Sequence, residues 1–405
     1  VDDMGGPGRA LTAGAAAVGL AAGARWLWRH QGEVATSRPF NEWTFTHTSA
    51  LMPTESVPRA VEPRSLRYAP IALDGWTYEY AGERRTLADL HKRTFTTGFA
   101  VLHRGLLVHE SYPGWFASPR ARFQLFSLTK SVTSMLVGIA LEEGAIASLD
   151  RTAVSYLPGL AGTAYDDRTI EHLLHMSSGA AFVEKYTDPD ATISRFEHAV
   201  MGDGSLLEVL RTVPSAAKPG TVFNYSTMDS QVLGWVLEAA TGMSLARYAA
   251  ERLWKPVGAE LDAHYFLTRR HPRTALGGGS FNAGVRDMAR LGLLMARGGV
   301  LDGQQIVPRA WVERSRGAGL AHLEVGALGP DIPPHYGYSN QWWTLGGARR
   351  AFTGVGIHGQ FLWVDPEADV VVVKTSAWPT ADDFDRDAET VRALTGLVSH
   401  LEAGG

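Results

Sequence analysis

The strand-forming stretches of this chain lie far apart, and that separation restricts its fold more than any other feature. Residues 99–110 read as two strands around His103-Arg104-Gly105. Residues 354–364 and 370–375 are further β-rich runs, joined by Asp365-Pro366-Glu367-Ala368-Asp369 as a hairpin. Between them, residues 150–260 carry mostly helical signals cut by Gly and Pro turns. Strands at both ends with helices between predict an α+β fold. In it, one antiparallel sheet drawn from both ends is flanked by helices, and a mostly helical lobe is inserted at about residues 145–265.

Two helices stand out. One starts at Ser127, where Leu128, Val132, Met135, Leu136 and Ile139 recur at helical spacing and Gly144 ends it. The other follows Tyr225, with Val232, Leu233, Val236 and Leu237 on one face and Gly242 as terminator. Residues 382–401 read as a closing helix. Residues 36–70, rich in Pro, Thr and Ser, read as an extended arm over the surface.

Residues 10–24 carry no charge and are flanked by Arg9 and Arg25. Fifteen residues is short of the roughly 20 that a bilayer span needs, but suits a signal-peptide core, with Ala22-Gly23-Ala24 as a cleavage site. Extending to Trp26, Leu27 and Trp28 gives a possible membrane attachment through residues 10–28. Export, anchoring and a cytoplasmic location stay open. Residues 1–35 are therefore set apart as a signal-like or anchor segment, leaving residues 36–405 as one domain.

Composition removes several function classes. A net charge of −4 argues against a nucleic-acid surface, and hydrophobics at 45% exclude wholesale disorder. The chain has no cysteine, so thiol nucleophiles, disulfide frameworks and thiolate metal sites are excluded together. Only six lysines stand beside 32 arginines, so a well-placed lysine is worth following.

One such lysine is in Phe126-Ser127-Leu128-Thr129-Lys130-Ser131. A serine hydroxyl is a weak nucleophile at neutral pH and needs a base within hydrogen-bond reach. At a helix start, Ser127 and Lys130 share one face, the positive helix end disfavours the ammonium form, and free N–H groups face a developing oxyanion. Ser-x-x-Lys by itself is weak: 24 serines and six lysines in 405 residues make about 0.36 such pairs expected by chance. The chain holds two. The second, Ser215-Ala-Ala-Lys218, runs into Pro219-Gly220, where no helix can follow. On the motif alone, Ser127 reads equally well as a plain N-cap residue.

Tyr225 lies on a turn feeding the second helix, where a phenol could relay a proton between serine, lysine and leaving group. Thr353-Gly-Val-Gly-Ile-His358-Gly-Gln is a glycine-punctuated strand that lets substrate backbone approach and offers an N–H as a second oxyanion donor. Lys374-Thr375-Ser376 ends the return strand of the hairpin and lacks the glycine of a K-T-G motif. His172-Leu-Leu-His175 is an i, i+3 pair without H-E-x-x-H, so no metal is assigned, and Glu171 is expected to point off the face the histidines share. Gly277-Gly-Gly279 reads as a tight turn or strand crossing. No cofactor is implied.

Taken together, these motifs resemble the serine β-lactamase and penicillin-binding-protein superfamily, and within it the 6-aminohexanoate-dimer hydrolases and related class-C-like esterases. The resemblance runs from about Asn41 to the C-terminus through Asn41-Glu-Trp-Thr-Phe-Thr-His, Ser127-x-x-Lys130, Leu173-Leu-His-Met-Ser-Ser-Gly179, Tyr186-Thr-Asp-Pro, Arg286-Asp-Met-Ala-Arg290, Gln341-Trp-Trp343 and Gly356-Ile-His-Gly-Gln360. It implies a β-lactamase/transpeptidase-like fold and a serine hydrolase that cleaves linear amides or esters through an acyl-enzyme. Ser127 is then the nucleophile, Lys130 its base and Tyr225 the proton relay. The backbone N–H groups of Ser127 and Ile357 form the oxyanion hole, and Tyr186, Trp343 and His358 bind a small amide or ester substrate. The position of the K-T-G lysine is Gly354, and the stretch after Asp188 departs from the oligomer hydrolases. The alternatives are a carboxylesterase with little amidase activity, a β-lactamase or D-Ala-D-Ala peptidase, and a catalytically idle binding protein on the same scaffold. The intact Ser127, Lys130 and Tyr225 set argues against the last.

Overall fold

In the computed structural model, which describes residues 31–404, two distant segments meet in one antiparallel sheet. Its strands are β1 (Thr96–His103), β2 (Leu106–Ser111), β3 (Gly337–Ser339), β4 (Trp342–Thr344), β5 (Phe352–Gly356), β6 (Gln360–Asp365) and β7 (Val370–Ser376). The spatial order is β3-β4-β5-β6-β7-β1-β2, so the β7–β1 pair joins the two ends of the chain. Alternation along the joining strands explains the layers. Phe99, Val101, Val370 and Val372 pack under Ala393, Leu394 and Leu397 of the closing helix α4 (Phe384–Glu402). Their neighbours Ala100, Leu102, Val371 and Val373 face the opposite cluster with Met288, Leu291 and Met295 of helix α3 (Val285–Ala296). A sheet covered on both faces accounts for the unbroken Val370–Val373 run.

The helix after Ser127, α1 (Thr129–Glu142), is buried from Thr129 to Ala140 rather than amphipathic. It lies between β5 and helix α2 (Thr227–Thr241). Its small polar side chains are all engaged. Thr133 donates to the Gly277 carbonyl at 2.6 Å and Ser131 to the Gln341 carbonyl at 2.9 Å. Ser134 accepts from the Trp311 indole, and Thr129 accepts from the Phe281 amide. Helix α2 ends as expected at Gly242, whose φ of +67° is left-handed.

Two expectations need correction. The 36–70 arm is extended only in its later part, where the Arg67 carbonyl and the Ala69 and Ile71 amides bond along edge strand β2. Its first part forms the short helices Asn41–Thr44 and Thr48–Leu51. Buried Asn41 holds them by donating to the Ala377 and Trp378 carbonyls, more than 330 residues away. A second sheet, which the sequence did not announce, pairs Thr54–Val57, Ala263–Phe266, Phe281–Ala283 and Phe123–Gln124 in that order. It delivers the chain into Ser127. The apolar run at 10–24 lies outside the described residues, and among those no helix is long and apolar enough to cross a membrane.

Candidate active site

Ser127 sits in a tight 3₁₀ turn, Phe126–Leu128, that leads directly into α1. Phe126 takes a φ of +47°, costly for a non-glycine residue, so the turn persists only because its surroundings hold it. Those surroundings are aromatic: the Phe126 ring meets Phe45 at 4.8 Å and His358 at 5.2 Å between centroids. Ser127 is 8% exposed, and Lys130 one turn on is fully buried. The Lys130 Nζ lies 2.9 Å from Ser127 Oγ, 2.9 Å from Thr227 Oγ1 and 2.9 Å from the Gly278 carbonyl. Burial lowers its pKa to about 8, against the opposing charges of Glu184 and Asp229.

The Gly277-Gly-Gly279 run thus belongs to the site. A Cβ at Gly277 would come 2.6 Å from the Ser230 carbonyl and 3.1 Å from Gly234 of α2, so only glycine lets the turn at 277–279 press against α2 and present the Gly278 oxygen to Lys130. Glu184 and Thr227 also went unread in the sequence. Thr227 opens α2 with free N–H groups, a standing invitation to a carboxylate. Its amide donates to Glu184 Oε2 at 2.7 Å and its hydroxyl to Oε1 at 2.7 Å.

Tyr225 sits beside both groups, with Lys130 Nζ 4.9 Å from its ring centroid and its phenol in contact with Ser127. Burial, and then the Glu184 charge, push its pKa up, while the Ser127 contact opposes them. The phenol is therefore a protonated donor at neutral pH, not a base. Trp343 stacks on it at 5.3 Å. With Tyr336, Tyr338 and Phe223 around it, Trp343 is 9% exposed and backs Tyr225 instead of forming an open wall. Tyr186 is half-buried, and its hydroxyl donates to Glu184 Oε1 at 2.9 Å.

Residues 354–364, read as one strand, are two: β5 and β6 fold back on each other through a turn at 357–359. Ile357 packs on Phe126 from that turn. The amides of Ser127 and Ile357 donate to no backbone carbonyl among the described residues. Gly354 faces α1, and a Cβ there would stand 2.9 Å from Ser131 Oγ and 3.1 Å from Leu128 Cγ, so the position admits no lysine without displacing α1. His358 departs from expectation. Its side chain is 3% exposed, contacts the Trp378 carbonyl through Nδ1 at 2.9 Å and supports Phe126 from below. Burial lowers its pKa to about 4, so the ring is neutral and packs beneath the Ser127 turn where direct substrate contact was expected of it.

The features set aside find ordinary places. Ser215 is exposed and accepts from Arg168 at 2.5 Å, and Lys218 is exposed with no helix around it. Lys374 meets Ser376 at 2.5 Å, but both are shut inside the fold, where no substrate arrives. His172 turns back to cap its own helix at Thr169. Glu171, expected off that face, approaches buried His175 at 3.8 Å. Among the described residues no three metal-binding side chains converge.

The family model described as Beta-lactamase matches residues 84–397. The chain is 32% identical to the 6-aminohexanoate-dimer hydrolase of Paenarthrobacter ureafaciens over 354 residues, 85% of this chain and 87% of that protein. A solved Bacillus anthracis structure, provisionally named a 6-aminohexanoate-dimer hydrolase, superposes with a TM-score of 0.82 at 26% identity, covering 91% of this chain and 96% of that one. A family VIII carboxylesterase shares the fold, with a TM-score of 0.58 at 18% identity over 76% of this chain and 94% of its own.

Proposed function

The chain belongs to the beta-lactamase family, as a serine hydrolase related to the 6-aminohexanoate-dimer hydrolases, and on that footing we propose that Ser127 is its acylated nucleophile. The observation that carries the reading is the 2.9 Å contact between Ser127 Oγ and a fully buried Lys130. Neutral Lys130 takes the Ser127 proton as Oγ attacks the substrate carbonyl, and the Ser127 and Ile357 amides receive the oxyanion. The proton then passes through the Tyr225 phenol to the leaving nitrogen or oxygen as the bond to carbon breaks. Water, deprotonated by the same base, attacks the acyl-serine and restores the hydroxyl.

With Lys130 at about 8, only its deprotonated form is a base, so kcat/KM should rise with pH through about 8 and then level. A pH profile on a linear ester measures this. A flat profile from pH 6 to 9 would exclude Lys130 as the base.

Linear substrates should surpass penicillins. Gly354 brings no cation to a substrate carboxylate. Arg349 is bound to Glu402 and Asp365, and Arg350 to Glu313, so neither replaces it. The charges acting on Tyr225 are those of Glu184 and Asp382, which oppose an anion. Losing one charge-assisted hydrogen bond costs about 1.5–3 kcal/mol, roughly 10- to 150-fold in kcat/KM. The test compares a short linear ester, an aminohexanoate-type amide and a penicillin on one preparation. The amide and ester should both exceed the penicillin. An ester turned over without the amide favours the carboxylesterase reading, and a penicillin ahead of both makes the enzyme a β-lactamase.

A further inference from the structure

Which way Lys130 points its lone pair is not settled by Lys130 itself. As an ammonium it donates to all three neighbours, Ser127 Oγ, Thr227 Oγ1 and the Gly278 carbonyl. As a free base it keeps two N–H bonds and one lone pair, and only a lone pair aimed at Ser127 activates the nucleophile. The Gly278 carbonyl can only accept. The Thr227 hydroxyl could accept from Lys130 or donate to it, and in the second case the lone pair turns away from Ser127. Glu184 removes that choice. Its Oε1 takes the Thr227 hydroxyl proton at 2.7 Å while its Oε2 takes the Thr227 amide proton, so the hydroxyl has a lone pair and no proton left for Lys130. We propose that Glu184 is a positioning residue which, by fixing the Thr227 hydroxyl proton, aims the lone pair of neutral Lys130 at Ser127.

The proposal rests on the reading of Lys130 as base. It also gives Glu184 two opposed effects. Its charge, with that of Asp229, favours the ammonium and so raises the pH at which Lys130 becomes a base. Its hydrogen bonds make that base productive once formed. Facing Lys130 are also the Tyr225 ring and Asp229, and the Tyr186 hydroxyl donates to Glu184 Oε1 at 2.9 Å. Burial raises the Asp229 pKa to about 7 against its bonds from Tyr165 at 2.8 Å and Ser178 at 3.0 Å, and the Glu184 charge adds to that rise. In Glu184→Gln, Asp229 therefore ionises at lower pH and offsets part of the midpoint shift without touching the plateau.

The two effects separate in the pH profile of Glu184→Gln, whose amide group donates to the Thr227 oxygen and turns the hydroxyl proton towards Lys130. The midpoint of the kcat/KM limb should move to lower pH, while the alkaline plateau falls about 10- to 100-fold, the scale of one misdirected buried hydrogen bond. Because Glu184 acts through Thr227, adding Glu184→Gln to Thr227→Val should shift the midpoint without lowering the plateau further. Circular dichroism of all three variants confirms that they fold. A shifted midpoint with an unchanged plateau would reduce Glu184 to a charge and overturn the proposal. A lowered plateau with an unmoved midpoint, or a full second loss in the Thr227→Val background, would overturn it as well. Lys130→Ala is measured alongside: if that variant stays active, the failure lies in the reading of the base, not in the role of Glu184.

Discussion

Replacing Ser127 with alanine is expected to lower kcat on the order of 10⁶-fold, and replacing Lys130 with alanine by a similar amount. The double variant should lose no more than either single one. The reason is geometric: at 2.9 Å the pair acts as one unit, since a hydroxyl without its base is unactivated and a base without the hydroxyl has nothing to deprotonate. Thr227 and Gly278 would still hold Lys130 in the Ser127→Ala protein, so the loss reports chemistry rather than collapse of the site. Ser215→Ala is the matched control, because Ser215 lies on the surface and Lys218 offers it no base. Multiplicative losses in the double variant would show that the two residues act independently.

Tyr225→Phe should harm amides far more than activated esters. An amine departs only when protonated, whereas p-nitrophenolate leaves unaided, so removing the phenol penalises one substrate class selectively. General acid catalysis contributes ~10²–10⁴-fold, and the difference between the two losses should fall in that range. The phenylalanine ring preserves the stack on Trp343 and the face turned to Lys130, which keeps the aromatic cluster packed. The raised phenol pKa supports a donor role over that of a second base. Steady-state rates on a matched amide and p-nitrophenyl ester measure the split, and equal losses would assign Tyr225 to packing or to serine activation.

Residues that act within one turn of each other were legible in the sequence. Ser127 and Lys130, three residues apart where a 3₁₀ turn runs into α1, are brought together by local spacing, and one sheet built from both ends follows from the β-rich runs found there. Contacts made across the fold were not. Glu184 reaches Thr227 over 43 residues, and Asn41 reaches Ala377 over 336, so no local pattern records either. The clue at Thr227 was its place as the first residue of a helix, where free N–H groups attract a carboxylate, but that does not say which carboxylate. The turn at 357–359 was hidden for another reason. His358 adopts a φ of +60° there and Gly359 one of +86°, and the glycines at 356 and 359 that flank the turn read equally well as punctuation of a single strand. The same turn that leaves the Ile357 amide without a backbone acceptor among the described residues buries the His358 ring against Phe126 and the Trp378 carbonyl, and no local pattern in the sequence records that second consequence.

The acyl-enzyme is the central claim, and intact-mass measurement during turnover of a slow linear ester, followed by peptide mapping, tests it most directly. A mass increase equal to the acyl group is expected, confined to the peptide carrying Ser127 and absent from Ser127→Ala. Continued turnover with no adduct under rapid quenching, or an acyl group on Ser215 or any other residue, would contradict it.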